Sequence, residues 1–186
     1  MPRKALFQAC LVLFLLVAVF LFVAAHPALA GTETTLHSFA AQGHGAAPQG
    51  GLISDAAGNL YGVSATGGAY NYGTVFELIP NRHGGWDQEI LYTFKGGNDG
   101  IFPEGQLVFD AAGNLYGSTY WGGNVGGCLY SSNGAYVFES LYSFTGVPPD
   151  GGSPQGGLIL GPSGSLLGTT ENGGNANQGA VFAVTP

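Results

Sequence analysis

Asp55-Ala56-Ala57-Gly58-Asn59-Leu60-Tyr61-Gly62 returns letter for letter as Asp110-Ala111-Ala112-Gly113-Asn114-Leu115-Tyr116-Gly117. A worn third copy stands at Gly161-Pro162-Ser163-Gly164-Ser165-Leu166-Leu167-Gly168. The chain is an internal repeat, and the rest can be laid out around these copies. Leu36-His37-Ser38-Phe39, Leu91-Tyr92-Thr93-Phe94 and Leu141-Tyr142-Ser143-Phe144 precede them. Pro48, Pro103 and Pro154 follow at equivalent places, and the pairs Gly67-Gly68, Gly122-Gly123 and Gly173-Gly174 lie beyond the motif. Val75-Phe76, Val137-Phe138 and Val181-Phe182 close each module.

Phe39 to Phe94 is 55 positions and Phe94 to Phe144 is 50. The modules run about 36–90, 91–140 and 141–186. Each reads as four short strands: the Leu-x-x-Phe segment, the segment after the proline, the strand opened by the eight-residue motif, and the Val-Phe segment. All are β-branched and aromatic runs bounded by Gly, Pro, Asn and Asp. The expected class is all-β: three four-stranded repeats of about 50 residues forming an incomplete, propeller-like array. A β-trefoil is the alternative, and an open array that completes itself by self-association comes third.

The motif has a mechanical reading. Asp55 and Asp110 accept hydrogen bonds from backbone N–H groups two or more residues on, as Asx-type turns do. Gly58-Asn59 and Gly113-Asn114 tolerate left-handed backbone, so the chain reverses there. The closing Gly leaves room for a neighbouring backbone. Module two departs from the pattern. Thirteen residues, Asn124 to Tyr136, separate its Gly pair from Val137-Phe138, against six in module one, and Phe138 stands only 3 positions before Leu141. A strand shared by two modules across Tyr136–Phe144, or an irregular junction, is expected there.

Glycine is abundant, 34 of 186 residues, without the three-residue period of collagen, while 45% hydrophobic and 12% aromatic content suffices for a core. Arg3 and Lys4, an apolar run from about Leu11 to Ala25, and Ala28-Leu29-Ala30 have the layout of a secretory signal over residues 1–30. An uncleaved membrane anchor is the other reading of that run. Cleavage leaves residues 31–186 as one secreted or cell-surface β domain, free of the membrane. That mature chain sets Arg82 and Lys95 against all eleven acidic residues, a charge of −9. Nucleic acid and anionic lipid are therefore excluded as partners, for want of Lys and Arg. Cys128 alone remains of the two cysteines, so no internal disulfide forms and burial is the expected fate of the thiol.

Leu-Tyr-x-Phe, Asp-Gly-x-x-Pro, Asp-x-x-Gly-Asn-Leu-Tyr-Gly, Gly-Gly and Gly-x-Val-Phe-x-Leu, in that order, resemble the GloVer tandem repeat (the Gloeobacter/Verrucomicrobia type, choice-of-anchor). The resemblance covers about Leu36 to Pro186. It implies an exported, propeller-like bacterial β-repeat protein of uncharacterised biochemical role.

For chemistry the residues offer little. Asp55, Gly58, Asn59, Asp110, Gly113 and Asn114 carry one repeated structural task. Asp99 and Asp150 sit in Asp-Gly turns without the alternating oxygens of a calcium loop. His37, His44 and His83 lack the spacing of a zinc site, and no nucleophile elbow or phosphate-cradling loop is present. No metal and no cofactor is expected. Glu104, Glu139 and Glu171 are the acids that an enzymatic reading would use. Tyr70, Tyr72, Tyr120, Trp121 and Tyr130, set on Gly-rich segments, have faces suited to stacking on sugar rings, and their bland role is to cover strand ends. The function expected is a non-enzymatic cell-surface interaction module or β scaffold, with glycans or surface proteins as partners. A secreted carbohydrate-binding or carbohydrate-active protein is the alternative.

Overall fold

A computed structural model describes residues 31–39, 43–123, 126–133 and 135–186; the predicted secretory signal lies outside them. Among the described residues, eleven strands form three antiparallel meanders. The first sheet is β1 (Ala46–Ser54), β2 (Leu60–Thr66), β3 (Thr74–Pro80) and β4 (Trp86–Thr93), paired in that order. The second is β5 (Ile101–Phe109), β6 (Leu115–Trp121), β7 (Cys128–Ser132) and β8 (Phe138–Ser143). The third has three strands, β9 (Gly151–Leu160), β10 (Leu166–Gly173) and β11 (Ala180–Val184). The all-β class holds, and three separate sheets are not the barrel that a trefoil requires.

Each motif makes the turn between the first two strands of a sheet. Oδ1 of Asp55 accepts the N–H of Ala57 and of Asn59, both at 2.9 Å, while Oδ2 takes the Asn59 amide and the Tyr61 hydroxyl. Asp110 repeats all four bonds with Ala112, Asn114 and Tyr116. Gly58 and Gly113 sit at φ 87° and 85° with open space around them, so conformation and not crowding selects glycine. The third copy keeps the backbone bond from Gly161 N–H to the Ser165 carbonyl and dispenses with the carboxylate.

The closing glycine makes room for a ring. A Cβ on Gly62 would stand 2.7 Å from the Phe76 ring and one on Gly168 2.5 Å from that of Phe182, while one on Gly117 would run into the Tyr130 ring. An aromatic side chain laid over a strand glycine restores the surface the glycine lacks. The neighbouring-backbone expectation is thereby replaced by a side-chain one.

This packing corrects two further expectations. Tyr130, not Phe138, stands where Phe76 and Phe182 stand, because β7 pairs with β6 through Gly117↔Tyr130, as β3 pairs with β2 through Gly62↔Phe76. Val137-Phe138 instead leads into β8, and no strand is shared between the second and third sheets. The Leu-x-x-Phe segments, expected to open each module, end the preceding sheet: Thr93 pairs with Thr74 and Ser143 with Cys128. The sheets are thus offset by one strand from the sequence modules.

From each outer strand the chain crosses to the next sheet. Phe94 leaves β4 and meets Tyr130 edge-on at 5.1 Å; Phe144 leaves β8 and meets Phe182 at 5.0 Å. Phe39 meets Phe76 in the same way at 4.9 Å, although no strand of the described residues includes it. The Tyr92 hydroxyl donates to Asp99, and Tyr142 to Asp150 at 3.0 Å, bracing both crossovers; the first module carries His37 and His44 at those places.

Two cores follow. Tyr61, Val63, Val75, Phe94, Leu107, Leu115 and Tyr130 fill the space between the first and second sheets. Tyr116, Leu129, Phe144, Leu158 and Leu166 fill that between the second and third. The first strands come closest, where a Cβ on Gly105 would collide with the Gly156 carbonyl oxygen. Substituting any side chain there would force the two strands apart.

Candidate functional site

Unrepeated residues gather at one end of the second and third sheets. Tyr120 and Trp121 end β6, where the first sheet has Ala65 and Thr66. Their rings stack at 5.5 Å with 28° between planes. The Trp121 ring lies 6.2 Å from that of Phe102, and the Phe102 N–H donates to the carbonyl of Tyr72. Trp121 is 48% exposed, Tyr70 53% and Tyr72 40%. Trp121 therefore presents its ring to solvent between the half-buried rings of Tyr120 and Phe102.

Acid and amide groups flank this row. The Tyr120 hydroxyl donates to Oε2 of Glu171 at 2.7 Å, and the Gln155 amide donates to the same oxygen at 3.0 Å. The bond to Glu171 raises the Tyr120 phenol above its ordinary value. Glu104 belongs to the same end. Burial lifts its carboxyl above the usual carboxylate range, and the neighbouring charge of Glu171 lifts it further. Modules one and three carry Gln49 and Gln155 in the same Pro-x-Gly setting. Glu104 is thus a charge held where the repeat otherwise uses a neutral amide, next to a second acid. A residue that works against stability in one copy only marks function better than a repeated one does.

The structure separates the sequence candidates. Tyr120 and Trp121 form this end, Tyr72 meets it through the bond from Phe102 to its carbonyl, and Tyr70 is exposed on the turn between β2 and β3. Tyr130 does not: it is 3% exposed on β7, packed by Phe94, and its hydroxyl has no partner among the described residues. Its place over Gly117 accounts for the burial, so it is removed from the stacking set. Asp55, Gly58, Asn59, Asp110, Gly113 and Asn114 make turns remote in role from this surface. Phe102 was missed, although an aromatic before Pro103, where the other modules have Ala47 and Ser153, was the available signal.

Elsewhere, His37, Ser38, His44, Trp86 and Asp87 border an open depression of about 350 Å³. Among the described residues no three His, Cys, Asp or Glu side chains converge as metal ligands. A second depression of about 400 Å³, lined by Ser153, Asn172 and Asn177, adjoins the Glu171 strand. No helix of the described residues is long and apolar enough to cross a membrane.

A repeat of strand meanders with a single aromatic–acidic end defines an all-β tandem-repeat protein. The chain belongs to the Gloeobacter/Verrucomicrobia repeat family, whose model matches residues 22–186. No curated protein matches it. Among solved structures it is similar to the X-ray structure of a "putative gluconolactonase", at 17% identity and a TM-score of 0.46. That likeness covers 73% of this chain and 49% of the other, so the chain spans about half the length of that relative.

Proposed function

We propose that the chain is an exported, non-enzymatic interaction module at the cell surface, its sheets the successive blades of an incomplete propeller, and that its aromatic end binds neutral glycan chains. The observation that carries this reading is the row of Phe102, Trp121 and Tyr120, in which an exposed Trp121 stands between two half-buried rings and Tyr120 is tied by its hydrogen bond to Glu171. Flat rings offer sugar faces a large apolar contact at small entropy cost, and Glu171, Gln155 and Glu104 supply hydrogen-bonding groups at its border. The acidic, Lys-poor surface favours uncharged ligands over anionic ones. Isothermal titration against neutral oligosaccharides tests it. Trp121→Ala is expected to lower affinity at least tenfold with the fold intact by circular dichroism. Equal affinity in the variant, or no binding to any neutral glycan, defeats the reading.

The nearness of Glu104 and Glu171, two acids in unlike surroundings, favours a carbohydrate-active second reading. Hydrolysis of a polysaccharide that is lost in both Glu104→Gln and Glu171→Gln would establish it in place of simple binding.

A further inference from the structure

The two ends of the sheet stack are complementary to each other. On the side facing the next sheet, Val75 and Leu129 occupy equivalent third-strand places, paired with Val63 and Ser118, and both are 0% exposed. Val181, paired with Thr169 in the third sheet, is 83% exposed. Ile159 shares that face and is 63% exposed, whereas Ile53 and Val108, its equivalents, pack into the two cores. On the side facing the preceding sheet, Leu107 and Leu158 are 2% and 6% exposed while Leu52 is 46% exposed. One end thus presents the back of an inter-sheet core, and the other end its front.

The backbone is complementary too. Among the described residues β11 has no neighbour on its outer edge, where β4 covers β3 and β8 covers β7. The covering strands carry Leu-Tyr-Thr-Phe and Leu-Tyr-Ser-Phe at their ends. The third copy of that signature, Leu36-His37-Ser38-Phe39, pairs with no strand of the described residues and leaves Leu36 48% exposed. An unpaired edge and an unpaired segment of matching sequence invite addition of one to the other.

We propose that two copies of this chain close front to back into a ring of six sheets, each lending Leu36–Phe39 as the fourth strand of its partner's third sheet. The inference rests on the blade reading above and is independent of the glycan. A front-to-back contact is heterologous and must close or polymerise. Propellers hold about four to eight blades, and two is the only number of three-sheet chains that falls within that range. The register follows from the existing sheets. Phe94 and Phe144 donate their N–H groups to the carbonyls of Gly73 and Gly127, at 3.1 and 2.9 Å. The Phe39 of one copy then donates to the Gly179 carbonyl of the other, and Ser38 stands opposite Ala180 as a non-hydrogen-bonded pair. Such pairs bring Cα atoms to about 4.5 Å, within disulfide range.

The test is light scattering on the full chain produced through a secreting bacterial host, at tens of micromolar. Twice the mass measured in denaturant is expected. Val181→Asp should halve the native mass, while Val137→Asp, exposed on the β7–β8 turn, should leave it unchanged. Should Val181→Asp fail to fold, the double variant Ser38→Cys with Ala180→Cys decides, since oxidation should yield a covalent dimer on a non-reducing gel. A native mass of one chain, or a dimer indifferent to Val181→Asp, overturns the proposal. A disulfide that joins the two introduced thiols within one chain also overturns the dimer, yet keeps the strand pairing and so spares the blade reading.

Discussion

The Tyr61 hydroxyl lies 2.7 Å from Oε1 of Glu77 and 3.0 Å from Oδ2 of Asp55. Tyr136, from the turn of the neighbouring sheet, adds its own hydroxyl at 3.2 Å. The phenol has one proton for these two carboxyls, and the shorter contact gives it mainly to Glu77, which is 6% exposed and withdrawn from water. Burial, with the bonds to Tyr136 and Glu77 reinforcing it, pushes the phenol well above its ordinary range. Tyr61→Phe therefore strands a buried acid and should cost about 1–3 kcal/mol in urea unfolding. Tyr116→Phe should cost less, because Asp110 keeps three other donors and water. Equal losses would mean that Glu77 finds another donor.

Acid should weaken the fold in a definite window. Burial pulls the carboxyls of Asp55, Asp110 and Asp150 upward. Hydrogen bonds from Asn59 and Tyr61, from Asn114 and Tyr116, and from Thr145 and Tyr142 outweigh it and hold them below the aspartate value. A depressed folded value means stability that is present above the unfolded value, about 3.9, and lost as pH falls through the folded one. The contribution of these three aspartates should be level from about pH 5 to 7, and the melting temperature should fall below about pH 4 as they are protonated. Asp150→Asn should flatten that fall, and an unchanged acid limb would remove Asp150 from the account.

Glu104 has the opposite sign. Its raised value means that the folded protein disfavours the charged form, so ionisation opposes folding at neutral pH. Glu104→Gln, which restores the residue of the other modules, should raise the melting temperature at about pH 7 and leave it unaltered near pH 3. A lowered melting temperature at neutral pH would show that the acid supports the fold.

The ring over Gly117 separates crowding from conformation. Gly117→Ala drives a methyl into the Tyr130 ring and should cost about 1–3 kcal/mol. Gly113→Ala has free space and suffers mainly from its φ of 85°, about 1 kcal/mol. Tyr130→Phe removes a buried hydroxyl that has no partner among the described residues, and should be neutral or stabilising. Combining it with Gly117→Ala should recover part of the loss, which chemical denaturation of the four proteins would measure.

Cys128 is 0% exposed beneath Thr119, and burial raises its thiol. It should resist a thiol-specific reagent in the native protein and react fully in denaturant.

The eight-residue motif made the repeat, the β class and the turn chemistry of Asp55 and Asp110 legible, because each depends on neighbours in sequence. Phase was not legible. A periodic sequence defines a spacing without an origin, and only the pairing of Thr93 with Thr74 places Leu91–Phe94 at the end of one sheet instead of the start of the next. The same limit misassigned Val137-Phe138. Two apolar–aromatic pairs competed for one strand, and the ring needed over Gly117 selected Leu129-Tyr130. At the candidate site the exposed aromatics were visible in sequence, whereas the meeting of Glu104, Tyr120, Gln155 and Glu171 joins β5, β6, β9 and β10 and exists only once the second and third sheets pack.

The one-strand offset also bears on how such chains lengthen. Because the sequence unit straddles two sheets like overlapping roof tiles, a unit copied in tandem by recombination brings both halves of the joint at its boundary. Duplication then extends the array without inventing a new contact surface, and the single copy-specific end around Trp121 is free to diverge while its siblings carry the load.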